Sequence, residues 1–243
     1  MSARSRVKRG LSLLFLRLGI SWRSGPLNFT YDDDLREYKL IGIKARDRER
    51  NRAILSELEL LTNQAPMELR LKGPFPKMIY DRILNSVNKI VDAMENLNSI
   101  IEMDNKLTET EVMVLKKLEP EMLELENRVF LIFYMLASAM KLGFPLASKP
   151  ASTEHAMDRL LIKLSGIRKR GSGNKNGKAV FNQKYQDQDG SMTQKEQQSL
   201  TNEDFVLLYT YNLVTNSITK ELDKLLKLVV ELYGSVTEDT LEL

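Results

Sequence analysis

The stretch from Ile83 to Ile101 reads ILNSVNKIVDAMENLNSII, and its apolar positions decide the fold. Ile83, Val87, Ile90, Met94, Leu97 and Ile101 alternate steps of four and three residues. That spacing places them in one line on an α-helix, a seam for packing against an antiparallel neighbour. Pro76 suits the first turn of this helix, since its missing N–H is one that a helix leaves unpaired there anyway.

The same rhythm recurs outward from this segment. Leu115, Leu118, Met122, Leu125, Val129, Ile132 and Leu136 form a second seam, with Thr108 or Thr110 as the helix cap. Pro120 falls inside it and is expected to kink or split the helix by removing a backbone donor. Leu207, Tyr211, Val214, Ile218, Leu222, Leu225, Val229 and Leu232 form a third seam, in a helix expected over about 202–234. Asp32-Asp33-Asp34 is expected to open a long charged helix running to about Asn63, with acids at the positive end of the dipole. Its middle, KARDRERNR over 44–52, reads as a solvated face, and Ile54, Leu58 and Leu61 as its buried stripe. A short helix begins at Ser152 or Thr153 and ends near Ile167. The sum is an all-α antiparallel bundle of about four long helices and two short ones, with no strand-like alternation. Residues 28–167 would form the bundle core and 201–243 a C-terminal helix completing it. Residues 168–200, rich in Gly, Lys and Gln, carry too little apolar surface to offset ordering entropy and read as a disordered basic loop.

The N-terminal segment differs from the rest. Arg4, Arg6, Lys8, Arg9 and Arg17 occur with no acidic residue before Asp32, and Leu11, Leu14, Phe15, Leu18 and Trp22 follow helical spacing. Residues 1–27 therefore read as a basic amphipathic helix ended by Gly25-Pro26, suited to lie on anionic headgroups with Trp22 at the interface and Arg23 beside it. A mitochondrial presequence, clipped near Gly25, has the same composition and is the alternative.

Zero cysteines and a single histidine remove thiolate chemistry and most metal and acid–base constellations, so no catalytic, metal or cofactor residue is expected. His155 reads as an exposed residue in a first helical turn. Glu119, Glu121, Glu124 and Glu126 read as a solvated face, because a di-iron bundle needs two Glu-x-x-His motifs. A net charge of +3 argues against a nucleic-acid partner. Arg168, Lys169, Arg170, Lys175, Lys178 and Lys184 concentrate charge without the interleaved aromatics of single-strand binders. No run reaches the roughly 20 apolar residues of a membrane span; Val129 to Met140 is too short and follows Glu124, Glu126 and Arg128. Arg70 to Pro76 (RLKGPFP) reads as a rigid corner, with Gly73-Pro74 forming a turn.

Three stretches also resemble one family. LLFLRLGISWRSGPL (13–27), ELRLKGPFP (68–76) with Tyr80 and Ile83-Leu84 after it, and NRVFLIFYMLASAMKLGFPL (127–146) are similar to the C-terminal domain of fungal transporters. These are the transporters related to fusaric-acid-resistance and aromatic-acid exporters, including the brefeldin-A-sensitivity proteins. The resemblance covers about residues 10–165 and, more loosely, the last helix. It implies a domain on the cytosolic face of a membrane, of the endoplasmic reticulum or another compartment, following the last span of a multi-pass protein. Residues 4–22 would then be the juxtamembrane exit helix, and the transporter's spans and the anionic membrane surface the partners; homo-oligomerisation is left open. Arg4, Arg6, Lys8, Arg9, Arg17, Trp22 and Arg23 would face the membrane. Arg70, Lys72, Gly73, Pro74 and Pro76 would set the angle between the long helices. The spans are absent from this chain, so it is expected to be a fragment that does not transport alone. The family supplies no catalytic residues. A free-standing interaction scaffold with a presequence is the competing reading.

Overall fold

The computed structural model describes residues 2–24, 27–67, 74–103, 105–146, 152–172 and 205–235. Among these, six α-helices carry the fold: α1 (Ala3–Arg23), α2 (Ala45–Gln64), α3 (Lys77–Met103), α4 (Glu109–Leu142), α5 (Glu154–Ser172) and α6 (Val206–Tyr233). The all-α reading holds, and the helices pack as a bundle around one continuous apolar core.

The seam that decided the fold is buried throughout: Ile83, Val87, Ile90, Met94, Leu97 and Ile101 are all under a tenth exposed. In α6, Tyr211, Ile218, Leu222, Leu225 and Val229 are buried in the same way. Side-chain pairs give the helix directions. Arg6 meets Glu57 and Arg17 meets Asp47, so α1 and α2 run antiparallel. Arg48 with Glu102 and Arg52 with Glu95 do the same for α2 and α3. Glu121 with Lys163, and Glu124 with Arg159, orient α5 against α4. Arg82 with Glu231, and Lys89 with Glu221, orient α3 against α6. The non-consecutive pair α4 and α6 runs parallel, because both C-terminal ends meet where the Leu146 N–H donates to the Gly234 carbonyl.

Thr108 caps α4 in a full capping box with Glu111, so of the two threonines it is Thr108 that starts the helix. Gly143 ends it in the left-handed region at φ 69°, where a Cβ would be strained. Pro120 does not split α4. It lies exposed within one continuous helix, where the carbonyl freed by the missing donor can turn to water.

The charged helix expected from Asp32 is corrected. Phe29-Thr30-Tyr31 are strand-forming residues, and a hairpin of β1 (Phe29–Asp32) and β2 (Glu37–Leu40) precedes α2. The Asp32 carboxylate accepts the Asp34 and Leu35 N–H groups and thereby closes a turn instead of opening a helix. Lys39 also donates to it, and this bond, followed by the Leu35 N–H, holds Asp32 below the usual carboxylate range. A third strand, β3 (Lys106–Leu107), pairs antiparallel with β2. Beyond this sheet, Gly42 leaves room for the buried Asn98: a Cβ there would sit 2.6 Å from Asn98 Oδ1, which accepts the Ile43 N–H, so a larger residue would have to displace that side chain.

The solvated face expected over 44–52 is corrected in part. Arg52 donates to Glu95, Asp92 and Asn88, and the Glu95 bond leads the effects that hold its guanidinium above the ordinary arginine range. Asn51 is buried. Arg48 and Arg52 therefore form a charged seam between α2 and α3, whereas Lys44, Arg46, Glu49 and Arg50 are exposed. At the other end of the chain, Arg168–Ser172 extend α5 past Ile167 instead of opening the basic loop, and Arg168 reaches Tyr209. Lys175, Lys178 and Lys184 lie outside the described residues.

Candidate functional site

Two surfaces concentrate groups that the core does not use. The first is the outer face of α1. Helical spacing sends Val7, Leu11, Leu14, Phe15, Leu18 and Trp22 inward, all at most 1% exposed, and α1 packs most extensively against α4. This corrects the expected orientation: the stripe assigned to lipid is the one that fills the core. Trp22 stacks on Tyr211 of α6 with ring centroids 5.9 Å apart, so it cannot sit among headgroups. A basic amphipathic helix and a core helix share one sequence pattern, and only the neighbouring helices decide between them.

The cations of α1 are distributed unevenly. Arg6 donates to Glu57 at 2.8 Å, and Arg17 donates to Asp47 at 3.1 Å and to Asn51 at 2.9 Å. Lys8 lies over the Tyr233 ring at 4.9 Å and Arg23 over the Phe130 ring at 5.3 Å. Arg4 is half-buried close enough to influence Tyr80, while Arg9 and Arg23 are exposed. Between these cations two aliphatic side chains face outward, Leu13 at 47% and Ile20 at 58% exposed, while Leu16 between them is half-buried and packs against the core. No acidic residue belongs to α1.

Of the corner residues, Arg70, Lys72 and Gly73 lie outside the described residues. Pro74 is exposed and Pro76 half-buried. The Pro76 carbonyl accepts N–H groups from Ile79 and Tyr80 at the start of α3. Phe75, not singled out in the sequence, anchors the corner: it is buried and stacked on Tyr80, centroids 4.7 Å apart.

The second surface is a groove of about 310 Å³ along α4, roofed by the chain that follows α1. Leu27, Phe29, Leu115, Met122 and Leu123 give it apolar walls. Asn28, Lys116, Glu119 and Glu126 are its polar lining. The four glutamates read as one solvated face separate here. Glu121 accepts from Lys163 at 2.6 Å, and Glu124 accepts from Arg128 at 2.7 Å and from Arg159. Glu126 is 8% exposed, and among the described residues no hydrogen bond or ion pair reaches its carboxylate. Burial pushes its pKa up to about 7. Behind it, burial and then the Glu126 charge raise the Tyr211 phenol. The signal for Glu126 was present in the sequence: it lies four residues after Met122 and three before Val129, on the inward face. His155 is exposed, in the first turn of α5.

Residues 45–237 match the model of the brefeldin A-sensitivity protein 4-like domain, which spans α2 through α6. The chain belongs to this family. The matched stretch begins at the first residue of α2, so α1 and the hairpin precede it although α1 fills the core. No curated protein matches the chain. Among the described residues, no helix is long and apolar enough to cross a membrane.

Proposed function

We propose that this chain is a membrane-side helical domain of a multi-pass transporter, serving assembly, gating or regulation from the cytosolic face of its membrane. Membership of the brefeldin A-sensitivity protein 4-like family and the likeness to fusaric-acid-resistance-type exporters support the transporter association. The observation that carries the membrane side is the outer face of α1, where Leu13 and Ile20 face outward among arginines in a helix without acids. Aliphatic groups of this kind enter the headgroup region, and each nearby cation adds about 1 kcal/mol against an anionic surface. Arg6 and Arg17 contribute less, being already paired with Glu57 and Asp47. Trp22 contributes nothing, being buried. Burial of Leu11, Leu14, Phe15 and Leu18 also supports retention of α1 in the folded chain over its removal as a presequence.

The test is flotation of the full chain with vesicles of phosphatidylcholine alone and with added phosphatidylserine, over a series of salt concentrations. Binding should require the anionic lipid and fall steeply with salt. The double substitution Leu13→Glu with Ile20→Glu should abolish it while leaving the helical circular dichroism unchanged. Binding that is absent, indifferent to salt or untouched by the pair overturns the proposal.

A further inference from the structure

We propose that the groove along α4 is a binding site for an organic amine with an apolar body, in which Glu126 supplies the counter-charge. The groove's volume falls at the lower end of the range for small-ligand sites, and its lining divides almost evenly between apolar side chains and polar or charged ones. Glu126 is the unusual member. More than nine-tenths buried, it has no cation or donor among the described residues, although a buried carboxylate is costly unless paired. Its immediate surroundings supply no cation: the Tyr211 phenol behind it is neutral, and the Asn28 amide in the lining donates to the Ser24 carbonyl. Lys116 lines the far end of the groove, ten residues away and hence about 15 Å along the helix, and lies over the Tyr38 ring. Arg128 and Arg159 are engaged by Glu124.

Glu119, about 10 Å from Glu126 on the same side of α4, adds a second acid to the lining, so acids outnumber the single lysine. Met122 and Leu123 lie between the two acids. An anion would meet Glu126 unfavourably, and a neutral apolar molecule would leave it unpaired. An ammonium group at Glu126 with its hydrocarbon body along Met122 and Leu123 satisfies both parts of the lining.

The test is isothermal titration of the full chain at pH 8, where Glu126 is ionised, with phenethylamine and with its neutral counterpart 2-phenylethanol. The amine should bind saturably and at least about tenfold more tightly, the factor expected for one charge-assisted hydrogen bond. Glu126→Gln, nearly isosteric and uncharged, should erase that preference. Leu123→Lys alters a position that is half exposed, and it should place a competing ammonium one turn from Glu126. The amine affinity of that variant should fall although Glu126 is retained. Equal binding of amine and alcohol, absence of saturable amine binding, or a preference surviving in Glu126→Gln overturns the proposal.

Discussion

Leu18→Ala tests whether α1 is a core helix. Leu18 is 1% exposed and also lines a small cavity with Asn51, Val91 and Met94. The substitution deletes Cγ and both Cδ atoms, about 2.4 kcal/mol of transfer free energy at roughly 0.8 kcal/mol per carbon. A residual void adds to this, so the expected loss is about 3–5 kcal/mol. Collapse around the site is limited because α1 is held on two sides, by α2 through Arg6 and Arg17 and by α4 through Phe130 and Phe133. Leu13→Ala is the internal control. It removes the same atoms from the same helix, five residues earlier, at a position 47% exposed, and should cost under about 1 kcal/mol. Urea unfolding followed by circular dichroism measures both, with the slope checked for constancy. A domain of this size should show a melting temperature lowered by about 6–20 °C in Leu18→Ala and nearly unchanged in Leu13→Ala. Equal effects of the two, or a loss below about 1 kcal/mol at Leu18, would mean that α1 does not pack as described.

Two further outcomes follow from buried and paired charges. Glu126 has a folded-state pKa of about 7, raised from the ordinary carboxylate value of 4.5, so the folded chain holds its proton more tightly than the unfolded one. Its stabilising contribution is complete below pH 4.5 and is lost as pH rises to 7, on the order of 3 kcal/mol in all. Unfolding midpoints across that range should therefore decline less steeply in Glu126→Gln than in the wild type, and parallel pH profiles would contradict the burial of this carboxyl group. Arg52 joins α2 to Glu95, Asp92 and Asn88 of α3 while about a third exposed. Arg52→Ala should cost about 1 kcal/mol at low salt and less at high salt, and Arg52→Lys should recover only part, since lysine lacks the planar fork that holds both Glu95 oxygens. Denaturant midpoints at two salt concentrations test this, and full recovery by lysine would sink it.

The contrast between legible and illegible elements is sharpest on α4. Its seam, its Thr108 cap and its stop before Gly143 are local properties, set by residue spacing, a side-chain oxygen and the absence of a Cβ. The separation of the four glutamates from Glu119 to Glu126 is not local. Glu121 and Glu124 are paired by α5, whereas Glu126 is enclosed where α4 meets α6, so identical side chains acquire three environments from their neighbours. The hairpin was hidden because Asp32-Asp33-Asp34 serves a turn as readily as a helix start, and strands of four residues leave little alternation to count. Likewise, a run of alternating charges such as KARDRERNR reads as solvated until α3 is seen to carry Glu95, Asp92 and Glu102 against it.

Spacing alone determined that this chain is helical, where most of its helices lie and which side chains they bury, because the 3.6-residue repeat records the inward face directly. Tertiary structure decided what each face meets. It turned the apolar stripe of α1 from lipid to core, set α4 and α6 parallel, and enclosed one carboxylate of four. The physical reason is that burial and pairing depend on groups far apart in the chain, which a periodic pattern locates on a face but cannot match to a partner.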